Sequence, residues 1–145
     1  MTDVWNGIAS EFLHLYPRGT RLVAVAGADA ERSRRTADDL AAALADAGQN
    51  VERAHSADGD DAALRADIIA PFRADAAASG TVLIVSGPPA LLSEASRGLW
   101  NFTLWQLAGD ESPHSIASAL VDVTDANAPT RRFADYCALP ASFGA

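Results

Sequence analysis

The sequence predicts an α/β protein in which helices pack on a mostly parallel sheet of about five strands. Three observations carry this. Short apolar runs of β type alternate with segments of helical period. Two of those runs, Leu22–Ala26 and Val82–Val85, are apolar without interruption, as in strands covered on both faces. Alanine supplies 32 of the 145 residues and favours helix in the segments between.

Trp5, Ile8, Phe12 and Leu15 stand at helical spacing and predict an opening helix that ends at Pro17 and Gly19, its aromatic stripe facing the core. The first strand is Leu22 to Ala26. A helix from about Ser33 to Ala47 presents Ala37, Leu40, Ala41, Leu44 and Ala47 on one face, with Gly48 as its stop. Val51 to His55 reads as the second strand. The polar turn from Ala57 to Asp61 caps a helix carrying Leu64, Ile68, Ile69 and Phe72, whose end is bent by Pro71.

Thr81 to Ser86 is the clearest strand and is expected at the centre of the sheet. Leu91 and Leu92 lie on a short helix. Within Leu99 to Leu107, residues Phe102, Leu104 and Gln106 alternate with Thr103, Trp105 and Leu107 as a further strand. About ten residues then precede the last strand, Ala119 to Val123, close to the minimum for a helical crossover. The tail, residues 131–143, is expected to form one short helix and drape over the domain.

The length fits one domain spanning residues 1–145. No apolar run is long enough to cross a bilayer, and no basic leader precedes a hydrophobic stretch, so the expected location is cytoplasmic with no membrane partner. A net charge of −8 disfavours nucleic acid, whose phosphates reward basic surfaces. Cys137, the single cysteine, forms no internal disulfide and reads as a packed thiol. His14, His55 and His114 are scattered and read as surface or capping residues. The carboxylates of Asp58, Asp60 and Asp61 read as a cap and turn rather than a calcium loop, and neither a metal nor a cofactor is assigned. Ser86 lacks the preceding glycine of a nucleophile elbow and is not read as a nucleophile. Trp100, Phe102 and Trp105 are expected to be core residues near an edge strand. If exposed, they would mark a homodimer surface.

The chemistry centres on one strand–turn–helix. Arg21 to Gly27 runs into Ala28-Asp29-Ala30-Glu31-Arg32-Ser33-Arg34, the geometry that normally carries a phosphate-gripping lysine, yet the chain has eleven arginines and no lysine. A working phosphate loop needs a second glycine, a lysine and a hydroxyl at fixed offsets from Gly27, for amides, ammonium and magnesium respectively. Arg32, Ser33 and Arg34 hold those offsets. Arg32, Arg34 and Arg35 place three cations at a helix start, where they oppose the helix dipole unless an anion compensates. Gly27, Asp29, Arg32, Ser33, Arg34 and Arg35 are therefore the candidate anion- or nucleotide-binding residues, and no residue is assigned a catalytic role.

Residues Arg21–Asp29, Thr36–Leu44, Thr81–Gly87, Arg97–Asn101 and Val121–Asp125 with Pro129 together resemble the uridine kinase-like branch of the P-loop nucleoside kinases. The resemblance covers most of the chain and is carried by hydrophobic patterning more than by catalytic residues. It implies a three-layer P-loop kinase-like fold with a mostly parallel sheet. Relatives would carry glycine, lysine and a hydroxyl where this chain has Arg32, Ser33 and Arg34, and an acid where it has Ser86. The acidic motif after the second strand reads His55-Ser56-Ala57-Asp58. The substrate-binding insertion and the arginine-bearing lid have no room, which makes the domain a truncated one. Phosphoryl transfer depends on the loop lysine, metal and lid arginines, so their joint loss is expected to abolish it.

The expectation is a non-catalytic, degenerate uridine kinase-like protein serving as a binding or oligomerisation module. Two alternatives stay open. One is a phosphate- or nucleotide-binding protein using the helix start near Ser33. The other is a residual nucleoside or metabolite kinase.

Overall fold

The computed structural model describes residues 3–75, 80–114 and 116–132. Helix α1 (Asp3–Leu15) leads to β1 (Arg21–Ala26), α2 (Ala30–Asp46) and β2 (Asn50–His55). Helix α3 (Asp61–Ala63), a π turn (Leu64–Ile69) and α4 (Ala70–Ala74) precede β3 (Thr81–Gly87). Two 3₁₀ turns, Pro89–Leu92 and Arg97–Leu99, lead to β4 (Phe102–Leu107), which is followed by β5 (Ala119–Asp122) and β6 (Thr130–Arg132). The strands form one sheet in the order β2-β3-β1-β4-β5-β6. Every pairing is parallel except that of β5 with β6.

The uninterrupted apolar runs fall where such runs are needed. All residues of β1, β3 and β4 are buried, because these three strands occupy the middle of the sheet and are covered on both faces. On one face, Ile8 and Phe12 of α1 with Leu40 and Leu44 of α2 pack over Val23, Val25, Ile84 and Leu104. On the other, Leu64, Ile69, Phe72, Leu91 and Trp100 cover Leu22, Leu83, Val85 and Leu107. Burial of one such side chain contributes about 1.5–3 kcal/mol. The alternation along each strand thus splits one sheet between two cores.

Several expectations change. The sheet has six strands, since Thr130–Arg132, with Arg131 and Arg132 expected to begin the tail, pairs antiparallel with β5. Arg131 bonds Glu11 of α1 at 2.9 Å, and Arg132 lies 3.8 Å from Asp122, which holds this short strand in place. The remainder of the tail, with Cys137, lies outside the described residues. Helix α2 starts at Ala30 rather than near Ser33 because Asp29 caps it. Its C-terminal end is as expected: Gly48 has φ +91°, and the amides of Gly48 and Gln49 close onto the carbonyls of Ala45 and Leu44.

The helix through residue 74 is interrupted by a π turn. Pro71 has no N–H to donate, and the Ala70 amide just before it reaches five residues back to Arg65 O. No helix lies in residues 108–118 among the described residues, so the β4–β5 link is an irregular loop. It is pinned at its end by Thr103 and Ser118, each of whose amides donates to the other's hydroxyl. Leu15 is 55% exposed and falls off the stripe that Trp5, Ile8 and Phe12 form. Trp100, Phe102 and Trp105 are all buried, and β4 is flanked by β1 and β5, so it is not an edge strand and cannot serve as the dimer edge expected of it. No described helix is long and apolar enough to cross a membrane.

Arg21 is an unforeseen keystone at the amino end of the sheet. Although it is buried, it has no carboxylate partner among the described residues. Its guanidinium donates to the carbonyls of Gly19, Tyr16 and Gly80 and to Gln49 Oε1, at 2.8–3.0 Å, and lies 5.9 Å from the Phe12 ring centre. One side chain thereby ties the end of α1, the α2–β2 turn and the entry to β3 to the central strand. Four acceptors offset its desolvation, which lowers its pKa from the ordinary arginine value.

Phe12 meets Phe102 edge-on at 5.5 Å and sits beneath Arg21, so Phe12→Ala is expected to cost about 3–5 kcal/mol in urea unfolding. Leu15→Ala, on the same helix but exposed, should change stability by no more than about 0.5 kcal/mol.

Candidate functional site

The strand–turn–helix named from sequence is present, and its turn is short. Only Gly27, Ala28 and Asp29 separate β1 from α2, so Arg32, Ser33 and Arg34 lie within the first turns of the helix and not in a loop. Asp29 is extended, and its Oδ1 accepts the amides of Glu31 and Arg32 at 3.0 Å each. Those amide bonds, that of Arg32 first, hold the Asp29 carboxyl below the usual aspartate range. The Ser33 amide is already bonded to Asp29 O at 3.0 Å.

Gln106, near the end of β4, completes the arrangement. Its Nε2 donates to Asp29 O at 2.9 Å and to Ser33 Oγ at 3.0 Å, and its Oε1 accepts from Arg32 Nε. Arg32 continues to Glu111 in the β4–β5 loop, and Glu111 also accepts the Ala108 amide at 3.1 Å. Gln106 and Ser33 are fully buried. Gly27 makes this possible: a Cβ there would stand 2.1 Å from Gln106 Nε2 and 2.5 Å from Gln106 O. The donors with which a helix start usually holds an anion are thus bonded to the chain's own Asp29, and the space beside them holds Gln106 and Arg32.

Of the six residues named from sequence, Gly27, Asp29, Arg32 and Ser33 come together in this knot. Arg34 and Arg35 diverge from it. Arg34 lies toward β2, paired with Glu31 at 3.2 Å and half-exposed. Arg35 faces the opposite way, into a groove of about 540 Å³ at the carboxyl edge of the sheet. That groove is lined by Arg32, Thr36 and Asp39 of α2 and by Val123 and Thr124 beyond β5, among others. Gln106 and Glu111 escaped the sequence reading because they lie more than seventy residues from Arg32. The one available signal was a polar residue at an inward position of an apolar strand.

A second polar cluster joins β2, β3 and α2. Ser86 Oγ is 2.7 Å from His55 Nδ1, and Arg53 bridges to Asp38 at 3.1 Å and to Arg34 O at 3.2 Å. Burial first, and then the cation of Arg34, push the His55 pKa below the ordinary histidine value. Ser86 is wholly buried, and Ser56 O would lie 2.8 Å from a Cβ on the adjoining Gly87. No substrate atom reaches the Ser86 hydroxyl in this arrangement, which makes the pair a packed hydrogen bond and not a nucleophile and base. His55 therefore has a buried partner in place of the surface or capping role expected of it, and the His114 ring meets that of Trp105 at a tilt of 59° with ring centres 5.0 Å apart. Among the described residues, no group of three His, Cys, Asp or Glu side chains is placed to hold a metal ion.

Gly27→Ala is expected to lower stability by several kcal/mol, on the order of overpacking a tight core, because backbone as well as the Gln106 amide must move. Gly98→Ala, with open space around the added methyl, should be nearly neutral in the same thermal-unfolding comparison. His55 gives a pH prediction. Its native pKa is depressed, so protonation favours the unfolded chain. Its contribution to stability is complete above the ordinary value of about 6.5 and is lost as pH falls through that value toward the lower native one. In urea titrations across this window, His55→Gln should show a shallower decline in stability than the parent.

A scan against protein-family models and searches of curated proteins and of solved structures found no match to this chain.

Proposed function

We propose that the chain is a non-catalytic protein of uridine kinase-like frame that acts as a binding module, with its binding face at the carboxyl edge of the sheet. The observation that carries this reading is the filled helix start. Asp29 accepts the amides of Glu31 and Arg32, Gln106 donates to the hydroxyl of Ser33 at the offset where a lysine would stand, and Arg34 occupies the offset of the magnesium-holding hydroxyl. Phosphoryl transfer rests on amides, a lysine and a metal acting together on the transferred group. A phosphate entering here would meet the Asp29 carboxylate before any free amide, and like charges at contact repel. The binding role is favoured over oligomerisation through the aromatic group because those side chains are inside, whereas the groove is open.

A second reading, retention of a phosphate or nucleotide without turnover, has one observation in its favour. Arg35 lies at the rim of the groove and makes no hydrogen bond or ion pair with any described residue.

Calorimetric and thermal-shift titrations with ATP, GTP, uridine, phosphate and sulfate, each with and without magnesium, separate these readings. The expected result is no magnesium-dependent stabilisation and no transfer of the γ-phosphoryl group to uridine. Saturable phosphate or nucleotide binding that is lost in Arg35→Gln would establish the second reading, and transfer to uridine would restore the kinase.

A further inference from the structure

The strand order places a topological switch between β1 and β4. From β1 the chain runs through α2 to β2 on one side of the sheet, whereas from β4 it runs to β5 on the other. Adjacent parallel strands whose connections part in this way open a crevice outside their carboxyl ends, the usual ligand position in open α/β sheets. The groove beside Arg35 lies there, between the first turns of α2 and the segments that follow β4 and β5. Its volume of about 540 Å³ suits a small molecule.

Its charges sort into committed and uncommitted groups. Arg32 is held by Gln106 and Glu111, Asp38 by Arg53 at 3.1 Å, and Thr124 Oγ1 by Asp122 and the Gly109 amide. Arg35 and Asp39 remain. They stand one helical turn apart on the same face of α2, yet neither forms a hydrogen bond or ion pair with the other or with any other described residue. Beside them Ala108, Val123 and Ala126 supply apolar lining.

A simple anion here gains Arg35 but faces Asp39, and a simple cation meets the reverse. A ligand carrying both charges satisfies both. We infer that this groove binds a small zwitterion of the α-amino acid class, its carboxylate on Arg35, its ammonium on Asp39 and its side chain against Val123 and Ala126. The assignment rests on the proposed binding role and gives it a ligand class. Partial desolvation, followed by the neighbouring charge of Asp38, raises the Asp39 pKa, and the positive charge of an ammonium would oppose both effects.

The test is calorimetric titration of the intact protein with the standard L-α-amino acids. The best binder is then compared with its two half-molecules, one lacking the ammonium and one lacking the carboxylate. For L-phenylalanine these are phenylpropanoate and phenethylamine. The expected result is saturable binding of at least one amino acid, about tenfold or more tighter than either half, since each half forfeits one charge-assisted contact. Arg35→Gln should abolish the advantage over the amine, and Asp39→Asn the advantage over the acid. Both residues are exposed, so the variants should keep the parent's far-ultraviolet circular dichroism and Tm. Failure of every amino acid to bind below about 10 mM overturns the inference, as does a half-molecule that binds as tightly as the whole. These titrations contain no phosphoryl donor, so the non-catalytic reading stands or falls on the nucleotide and uridine titrations above, and the two can fail separately.

Discussion

Where a methyl group on residue 27 would sit, the protein keeps the side-chain amide of Gln106. That close approach fixes how β1 and β4 lie beside each other at their carboxyl ends. Their register, with Ala26 opposite Trp105, places Gln106 level with the start of α2. From there a single amide can bond the Asp29 carbonyl and the Ser33 hydroxyl while its oxygen accepts from Arg32. The direction of α2, the position of the β4–β5 loop through Glu111, and the groove between them all follow from this contact.

The electrostatics of the helix start are consistent with it. Three arginines in four residues would oppose the helix dipole if left alone. Asp29 caps the helix, Glu31 pairs with Arg34, and Glu111 pairs with Arg32, so only Arg35 lacks a direct partner among the described residues. The capping amides and two of the three cations are thus bonded within the chain itself. Arg21 follows the same logic at the opposite end of the sheet, where backbone carbonyls and a glutamine amide take the place of a counter-ion.

Much of the fold was legible. The five runs read as strands coincide with β1 to β5 within a residue or so, and for the buried strands β1 and β3 the reason is that an apolar run covered on both faces is a local signal. Boundaries were less legible where capping decides them: α2 begins three residues before the predicted start because the Asp29 carboxylate, not the apolar period, sets its first turn. The short strand β6 escaped because Thr130–Arg132 has no β-like pattern of its own and exists through pairing with β5 and ion pairs to Glu11 and Asp122. The candidate site was half legible. Gly27, Asp29, Arg32 and Ser33 are neighbours in sequence and were found together, whereas Gln106 and Glu111 reach them only through the sheet.

The sequence by itself determined the α/β class, the central apolar strands, most of the core faces of α1 and α2, and the absence of a lysine and of a second glycine from the segment that follows Gly27. These depend on residue type and on periods of two or 3.6, which local sequence carries. The tertiary structure decided the strand order, the burial of Arg21 among carbonyl acceptors, the filling of the helix start by Gln106, and the placing of Arg35 and Asp39 in one groove beside an apolar lining. Those depend on contacts between segments as much as seventy-nine residues apart, whose meeting is set by sheet register and packing rather than by any property of the segments alone.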